Sequence, residues 1–226
     1  MRKARLLWIL LVVLGYMFSG AHIALGILSM YFPSWISNDE GDRRGIFEYC
    51  DKAEICSELE NPFTSSVIDD RNGPLLNMRV SQAGMLVGSL FVNFTTMFIA
   101  TVTLICTTNP RVYMGPRTGQ MVVMVASFFL WLSGIIHFVS FFIFHESLNY
   151  EAFVGEVYTL NKRFLLKNGL MALNYGPMYI INWVSCGCTF LASFLFLMAA
   201  NLQKMPKFVL RTRLVNPPPQ SSSTIN

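Results

Sequence analysis

The side chains with the most reactive chemistry in this sequence are its five cysteines and three histidines. Cys186 and Cys188 form a C-x-C pair rather than the C-x-x-C of a thiol–disulfide redox motif, and residues two apart on a helix do not face each other. His22, His137 and His145 are scattered without the spacing of a zinc site. The sequence therefore predicts no catalytic residue, no metal site and no cofactor, and a protein that is not an enzyme.

Four charge-free apolar runs carry most of these residues. They cover 6–32, 84–106, 121–144 and 178–200, and each exceeds the roughly 20 residues needed to cross a hydrocarbon core. The composition agrees, because 13% of the residues are charged against about 25% in soluble domains. We predict four transmembrane helices. The first is a retained span, since the apolar part of a cleaved signal peptide is only about 7–15 residues long.

The charged residues divide the connecting segments into two kinds. Segments 1–5, 107–120 and 201–226 contain basic residues and no acidic ones, whereas all 13 acidic residues lie in 33–83 and 145–177. By the positive-inside rule, we predict that both termini and the 107–120 link are cytoplasmic and that the two acidic segments are extracellular. The net charge of +4 comes from basic residues beside apolar runs, and it does not indicate nucleic-acid binding.

The segment after the first apolar run contains the most specific pattern in the chain. It holds, in order, Trp35, Gly45, Ile46, Phe47, Cys50 and Cys56. A tryptophan at the top of a first span, followed by Gly-Ile-Phe-x-x-Cys and a second cysteine, resembles the signature of the claudin superfamily. That superfamily includes claudins, the peripheral myelin protein group, stargazin-type channel subunits, LHFP-like tetraspans and clarins.

The resemblance implies a claudin-like fold. The predicted fold class is a membrane protein, an all-α four-helix transmembrane bundle with a small extracellular antiparallel β-sheet. We expect a disulfide between Cys50 and Cys56, because the predicted topology places both in an oxidising compartment. We expect Cys106, Cys186 and Cys188 to be free, and the lipidation of Cys106 stays open.

Polar residues inside the predicted spans form a second group of interest. With the predicted orientation, His22, Asn93 and His137 lie seven to ten residues below the outer ends of their spans. At 1.5 Å per residue, these positions are roughly 10–15 Å below the outer surface. Polar groups in hydrocarbon turn inward, so we predict an intramembrane polar cluster of these three, with Asn182 of the fourth span nearer the surface. Two interpretations stay open: a purely structural cluster, or one in which a histidine proton shifts helix packing.

The C-terminal tail, 201–226, is basic and then rich in proline and serine, a composition that predicts disorder. Its last residue, Asn226, predicts no PDZ-type C-terminus, because PDZ domains hold an apolar end in many claudins. Tyr175-Gly176 before the fourth span resembles a Tyr-Gly pair of stargazin-type subunits.

These observations predict a non-catalytic, multi-pass protein of the plasma membrane. Its partners would be the lipid bilayer and another integral membrane protein, which could be a channel, a receptor or a like tetraspan. We favour an accessory subunit of a channel or receptor, or a role in cell-surface organisation. The alternative is a cell–cell adhesion or paracellular-barrier claudin, and a remote alternative is a membrane enzyme.

The charge distribution makes a direct prediction about topology. Epitope tags at both ends should be undetectable on intact cells and detectable after permeabilisation, because the basic, acid-free segments adjoin the termini. A tag inserted within 59–72 is the control and should be labelled on intact cells. Surface labelling of either terminal tag would contradict the predicted orientation.

Overall fold

A computed structural model of the chain describes residues 2–37, 41, 43–46, 48–50, 53–58, 73–108, 116–154 and 174–202. Four long helices make up most of these residues: α1 (Arg2–Tyr31), α2 (Gly73–Thr108), α3 (Pro116–Val154) and α4 (Pro177–Leu202). Within them, four stretches are long and apolar enough to cross a membrane: Leu6–Tyr31, Asn77–Cys106, Thr118–Leu148 and Pro177–Leu202. The four-helix part of the predicted fold class is confirmed, and the chain is a multi-pass membrane protein.

Within the described residues, five short strands form one antiparallel sheet. They are β1 (Ile36–Ser37), β2 (Arg43–Arg44), β3 (Glu48–Cys50), β4 (Cys56–Glu58) and β5 (Asn174–Tyr175). Their order in the sheet is β4-β3-β2-β1-β5. The predicted small sheet is confirmed, but the sequence placed it within 33–83 alone. Strand β5 comes from the segment before α4 and pairs with β1, so both predicted extracellular segments contribute to it.

The helices begin where the sequence provides suitable first residues. Pro116 and Pro177 are the first residues of α3 and α4, where a missing N–H costs nothing and the fixed φ suits a helix. α3 continues to Val154, beyond the predicted end of the third span at 144. The predicted disordered tail beyond 202 and residues 109–115 of the 107–120 link lie outside the described residues.

The bundle is apolar on the outside and rich in small polar residues on the inside. Large side chains such as Phe91, Met121 and Phe142 are at least 60% exposed, whereas most serines of the spans are buried. This is the reverse of a water-soluble bundle. It follows from the solvent, because lipid tails are as apolar as leucine and small residues let helices approach closely.

Helix packing is closest between α2 and α3, between α1 and α4, and between α3 and α4. Glycines make room for aromatic rings at two of these contacts. A Cβ atom at Gly15 of α1 would lie 2.6 Å from the ring of Phe196 on α4. A Cβ atom at Gly134 of α3 would lie 2.9 Å from the ring of Phe190 on α4. We call the end of the bundle under the sheet the outer end, and the end at the α2–α3 link the inner end.

Candidate functional site

Trp35 joins the sheet to the bundle. Its side chain is fully buried, and its indole N–H donates to the carbonyl of Ser29 at the end of α1, 2.6 Å away. Its backbone N–H donates to Arg44 of β2, and its carbonyl accepts from Gly176 just before α4, at 2.9 and 2.8 Å. The ring of Phe144 on α3 packs edge-on against the indole, with 5.0 Å between ring centroids. One residue therefore connects α1, α3, the start of α4 and the sheet.

Two glycines allow the backbones around Trp35 to approach each other. A Cβ atom at Gly45 would lie 2.7 Å from Cα of Pro33, and one at Gly176 would lie 2.0 Å from the carbonyl oxygen of Ser34. Ile46 is buried in the same apolar cluster as Trp35. Most of the signature residues therefore have a local role in holding the sheet on the bundle; Phe47 lies outside the described residues.

The start of α4 is enclosed by aromatic side chains. The rings of Tyr175 and Tyr179 stack with 4.4 Å between centroids, and Nε2 of His145 lies 2.9 Å from the Tyr179 hydroxyl. Burial, and to a smaller degree the neighbouring Tyr179, raises the pKa of Tyr175 above its ordinary value. The Tyr-Gly pair noted in the sequence thus belongs to the junction between sheet and bundle.

The hairpin of β3 and β4 is closed by the predicted disulfide. Cys50 and Cys56 are directly opposite each other in the register, and they are bonded. Cys50 is buried and Cys56 is exposed, so the disulfide joins a buried strand residue to a residue on the surface of the hairpin. Cys106, Cys186 and Cys188 are free thiols. The disulfide prediction is confirmed.

The interior of the bundle contains pairs of residues that bond to each other's backbone. The hydroxyl of Ser89 on α2 donates to the carbonyl of Ser133 on α3, and the Ser133 hydroxyl donates to the carbonyl of Ser89, both at 2.9 Å. Ser127 on α3 and Ser193 on α4 repeat this exchange at 2.8 and 2.9 Å. We call these reciprocal pairs. Each one fixes two helices at a separation that only a short side chain can bridge.

His22 forms the third reciprocal pair, between α1 and α4. Its Nδ1 donates to the carbonyl of Ser185 at 3.0 Å, and the Ser185 hydroxyl donates to the carbonyl of His22 at 2.8 Å. Because a carbonyl can only accept, Nδ1 carries the proton, and in the neutral ring Nε2 is an acceptor. Nε2 lies 3.3 Å from the Ser89 hydroxyl, whose proton goes to the Ser133 carbonyl, so the two pairs are in contact.

His137 lies next to His22 and extends the network outward. The two rings are 5.1 Å apart between centroids. Nε2 of His137 donates to the side-chain oxygen of Asn182 on α4 at 3.0 Å, and the Ser29 hydroxyl lies 3.0 Å from that same oxygen. Since the carbonyl of Ser29 binds Trp35, the interior network reaches the sheet junction through a single residue.

Asn93 belongs to a separate layer, nearer the inner end. Its amide bonds to the Thr189 hydroxyl on α4 at 3.1 Å, and its carbonyl oxygen accepts from Ser19 on α1. The structure therefore brings His22, His137 and Asn182 together in one chain of contacts. It places Asn93, fully buried like the others, one helical turn away from Ser89.

The serines of this network were missed in the sequence, although their spacing contains a signal. Ser133, Ser140 and Ser147 of α3 repeat every seven residues, and all three are buried. Small polar residues at heptad spacing mark the face of a span that packs against other helices. A histidine or an asparagine in a span is rare and indicates a polar contact, whereas a single serine in a span is common and indicates little by itself.

The described contacts join the helices of the bundle to one another. Within the described residues, no group of three histidine, cysteine or acidic side chains could hold a metal ion. The hydroxyls of the reciprocal pairs donate to backbone carbonyls of the facing helices. No protein-family model matches the chain, and no curated protein matches it in a sequence search.

The close approach of Gly176 to Ser34 in the sheet junction gives a testable prediction. Gly176→Ala should lower the melting temperature in detergent and the surface level of the protein, because the new methyl group would overlap the carbonyl oxygen of Ser34. The cost should be about 1–3 kcal/mol, typical of overpacking. Gly187→Ala is the matched control, since a Cβ atom there meets nothing within 4 Å. Equal melting temperatures for the two variants would show that the junction does not hold the sheet.

The contact between the two interior histidines can be tested by a double-mutant cycle. His22→Leu and His137→Leu should each lower thermal stability in detergent, and the two losses should not add, because the rings touch and share one network. Interhelical hydrogen bonds in membranes average about 0.6 kcal/mol, so the losses should be modest. His22→Leu combined with His145→Leu is the control and should be additive, because His145 bonds Tyr179 outside this network. Additivity in both cycles would refute the coupling.

Proposed function

We propose that this chain is a non-catalytic, claudin-like four-span protein of the plasma membrane that acts as an accessory subunit of a channel or receptor. The observation that carries the proposal is the Trp35 junction, which makes the outer sheet and the bundle one hydrogen-bonded unit. A rigid outer platform fixed to transmembrane helices can contact both the outer part and the spans of a neighbouring membrane protein.

The interior of the bundle supports a role based on contact. Its buried polar groups are largely paired with one another, so the described interior offers contacts between helices and not a substrate site. The outer faces of the helices carry large apolar side chains, which suit either lipid or the spans of another protein. This distribution of polar and apolar side chains fits a protein that binds other membrane proteins through its outer surface better than it fits an enzyme.

The outer hairpin provides exposed side chains for such a contact. Ile55, in the turn between β3 and β4, is 69% exposed, and Glu54 beside it in the chain pairs with Arg43 of β2 at 3.2 Å. An apolar side chain at the tip of a disulfide-closed hairpin loses little conformational freedom when it binds. We infer that this hairpin contributes to the contact with the partner.

An adhesion or paracellular-barrier claudin is the second candidate. The predicted extracellular segment 33–83 contains ten acidic and five basic residues, which in a barrier would favour the passage of cations. The long 145–177 segment favours the accessory role over the barrier. A membrane enzyme remains the most distant alternative.

Affinity purification in mild detergent tests the proposal through matched cysteine variants. A channel or receptor subunit should co-purify with the wild-type chain and with Cys106→Ser, whose thiol is free. Its recovery should fall several-fold with the double variant Cys50→Ser/Cys56→Ser, because an open hairpin must be ordered on binding at an entropic cost. Surface biotinylation normalises recovery to the amount of protein at the cell surface.

One outcome would contradict the accessory role, and a second would contradict only the contribution of the hairpin to the contact. The first is assembly of the chain with itself into continuous strands at cell contacts, which would support the barrier. The second is equal recovery of the partner with both cysteine variants, which would exclude the hairpin from the contact.

A further inference from the structure

The two interior histidines each keep one ring nitrogen that accepts no hydrogen bond from the described residues. Nδ1 of His22 donates to the carbonyl of Ser185, so Nε2 of the neutral ring carries a lone pair. Nε2 of His137 donates to the side-chain oxygen of Asn182, so in this ring Nδ1 carries the lone pair. Two buried acceptors therefore lie on adjacent rings, whose centroids are 5.1 Å apart.

The neighbouring hydroxyls have no proton left for these nitrogens. The Ser89 hydroxyl lies 3.3 Å from Nε2 of His22, but its single proton goes to the carbonyl of Ser133. The Ser133 hydroxyl donates in return to the carbonyl of Ser89. The Ser185 hydroxyl donates to the carbonyl of His22. Nδ1 of His137 is buried and has no hydrogen-bond partner within the described part of the chain.

A donor without an acceptor lies in the same network. The side-chain nitrogen of Asn182 is buried and is bonded to none of the described residues, although its side-chain oxygen is bonded to His137. Buried polar groups in folded proteins are nearly always paired, either with protein groups or with ordered water. The two acceptors and this donor are therefore three groups of one network that a ligand can satisfy together.

The chemistry of the three groups specifies the ligand. It has to donate two hydrogen bonds and accept at least one, and a water molecule has two protons and two lone pairs. Buried waters in proteins typically make about three hydrogen bonds. One water that donates to two nitrogens at about 2.9 Å each joins atoms up to about 5.8 Å apart. The two ring centroids lie within that distance of each other.

The surroundings favour a neutral ligand over a cation. The structure places four uncharged side chains against the two rings: Ser89, Ser185, Asn182 and Phe141. A cation buried among neutral groups is costly, whereas a neutral molecule with matching donors and acceptors is not. Ordered waters inside membrane proteins satisfy polar groups of the spans in the same way.

We propose that one water molecule binds inside the bundle, donating to Nε2 of His22 and to Nδ1 of His137 and accepting from the side-chain nitrogen of Asn182. The water joins α1, α3 and α4 through a single ligand. It lies between the α2–α3 reciprocal pair and the Trp35 junction, since the network runs from one to the other through these residues. The site does not depend on the accessory role proposed above.

The test is proton–nitrogen correlation NMR on the full chain in deuterated phospholipid bilayers. The protein is deuterated, carries isotope-labelled histidine nitrogens and is exchanged into ordinary water, so that only exchangeable protons are detected. Cross-peaks should connect the water-proton frequency with the unprotonated nitrogens of both His22 and His137. A cross-peak at only one of these nitrogens, or at neither, would refute the shared water. A ring with both nitrogens protonated would also refute it, because a proton would then occupy the site.

Ser89→Ala distinguishes water from the neighbouring hydroxyl as the donor. The variant removes the hydroxyl that lies 3.3 Å from Nε2 of His22, and the cross-peak of His22 should keep its wild-type intensity. Loss of that cross-peak in the folded variant would show that Ser89 is the donor, and it would overturn the proposal.

His137→Gln tests whether the two rings share one ligand. The glutamine amide retains a donor to Asn182, whereas the ring acceptor Nδ1 is lost. The water then has one partner fewer, so the cross-peak of His22 should fall several-fold. His145→Gln is the matched control, because His145 lies outside this network, and it should leave both cross-peaks unchanged. An unchanged His22 cross-peak in folded His137→Gln would contradict the shared water; if this variant does not fold, the wild-type spectrum decides.

Discussion

The reciprocal pairs between helices are the interactions on which the rest of this structure depends. In hydrocarbon, no water can satisfy a side-chain hydroxyl, so each must find an acceptor within the protein. Here, Ser89 with Ser133, Ser127 with Ser193, and His22 with Ser185 each reach the backbone of the facing helix. Such an exchange is possible only where the two backbones lie close together. The pairs therefore determine which helices are neighbours and at what height they meet.

The outer sheet depends on the same network. Ser29 accepts the indole N–H of Trp35 with its carbonyl, and its hydroxyl lies within hydrogen-bond distance of Asn182, which binds His137. The sheet is therefore not a separate domain on a flexible linker, since its central residue is hydrogen-bonded into the top of the bundle. The glycine at 176 makes this possible, because any side chain there would collide with the backbone of Ser34.

The outer surface of the bundle has a groove between two of the helices. A groove lies between α2 and α3 towards the inner end of the bundle, where the small side chains of Ala100 and Ala126 are buried. Large apolar residues remain on the outer faces because lipid solvates them as well as the protein interior would. The described residues therefore form a sheet that is hydrogen-bonded to one end of the bundle and an apolar groove near the other end.

The sequence by itself determined the four spans and the hairpin disulfide, because each depends on local features. A span follows from the length of a charge-free run, and the disulfide follows from two nearby cysteines in one segment predicted to be extracellular. The tertiary structure alone decided which polar residues meet. Asn93 and His137 have similar depths, yet Asn93 binds Ser19 and Thr189, while His137 binds Asn182. Depth follows from counting residues, but partners depend on the rotation of each helix and the order of its neighbours. For the same reason β5 could not be foreseen, because its pairing with β1 needs the start of α4 to lie beside the end of α1.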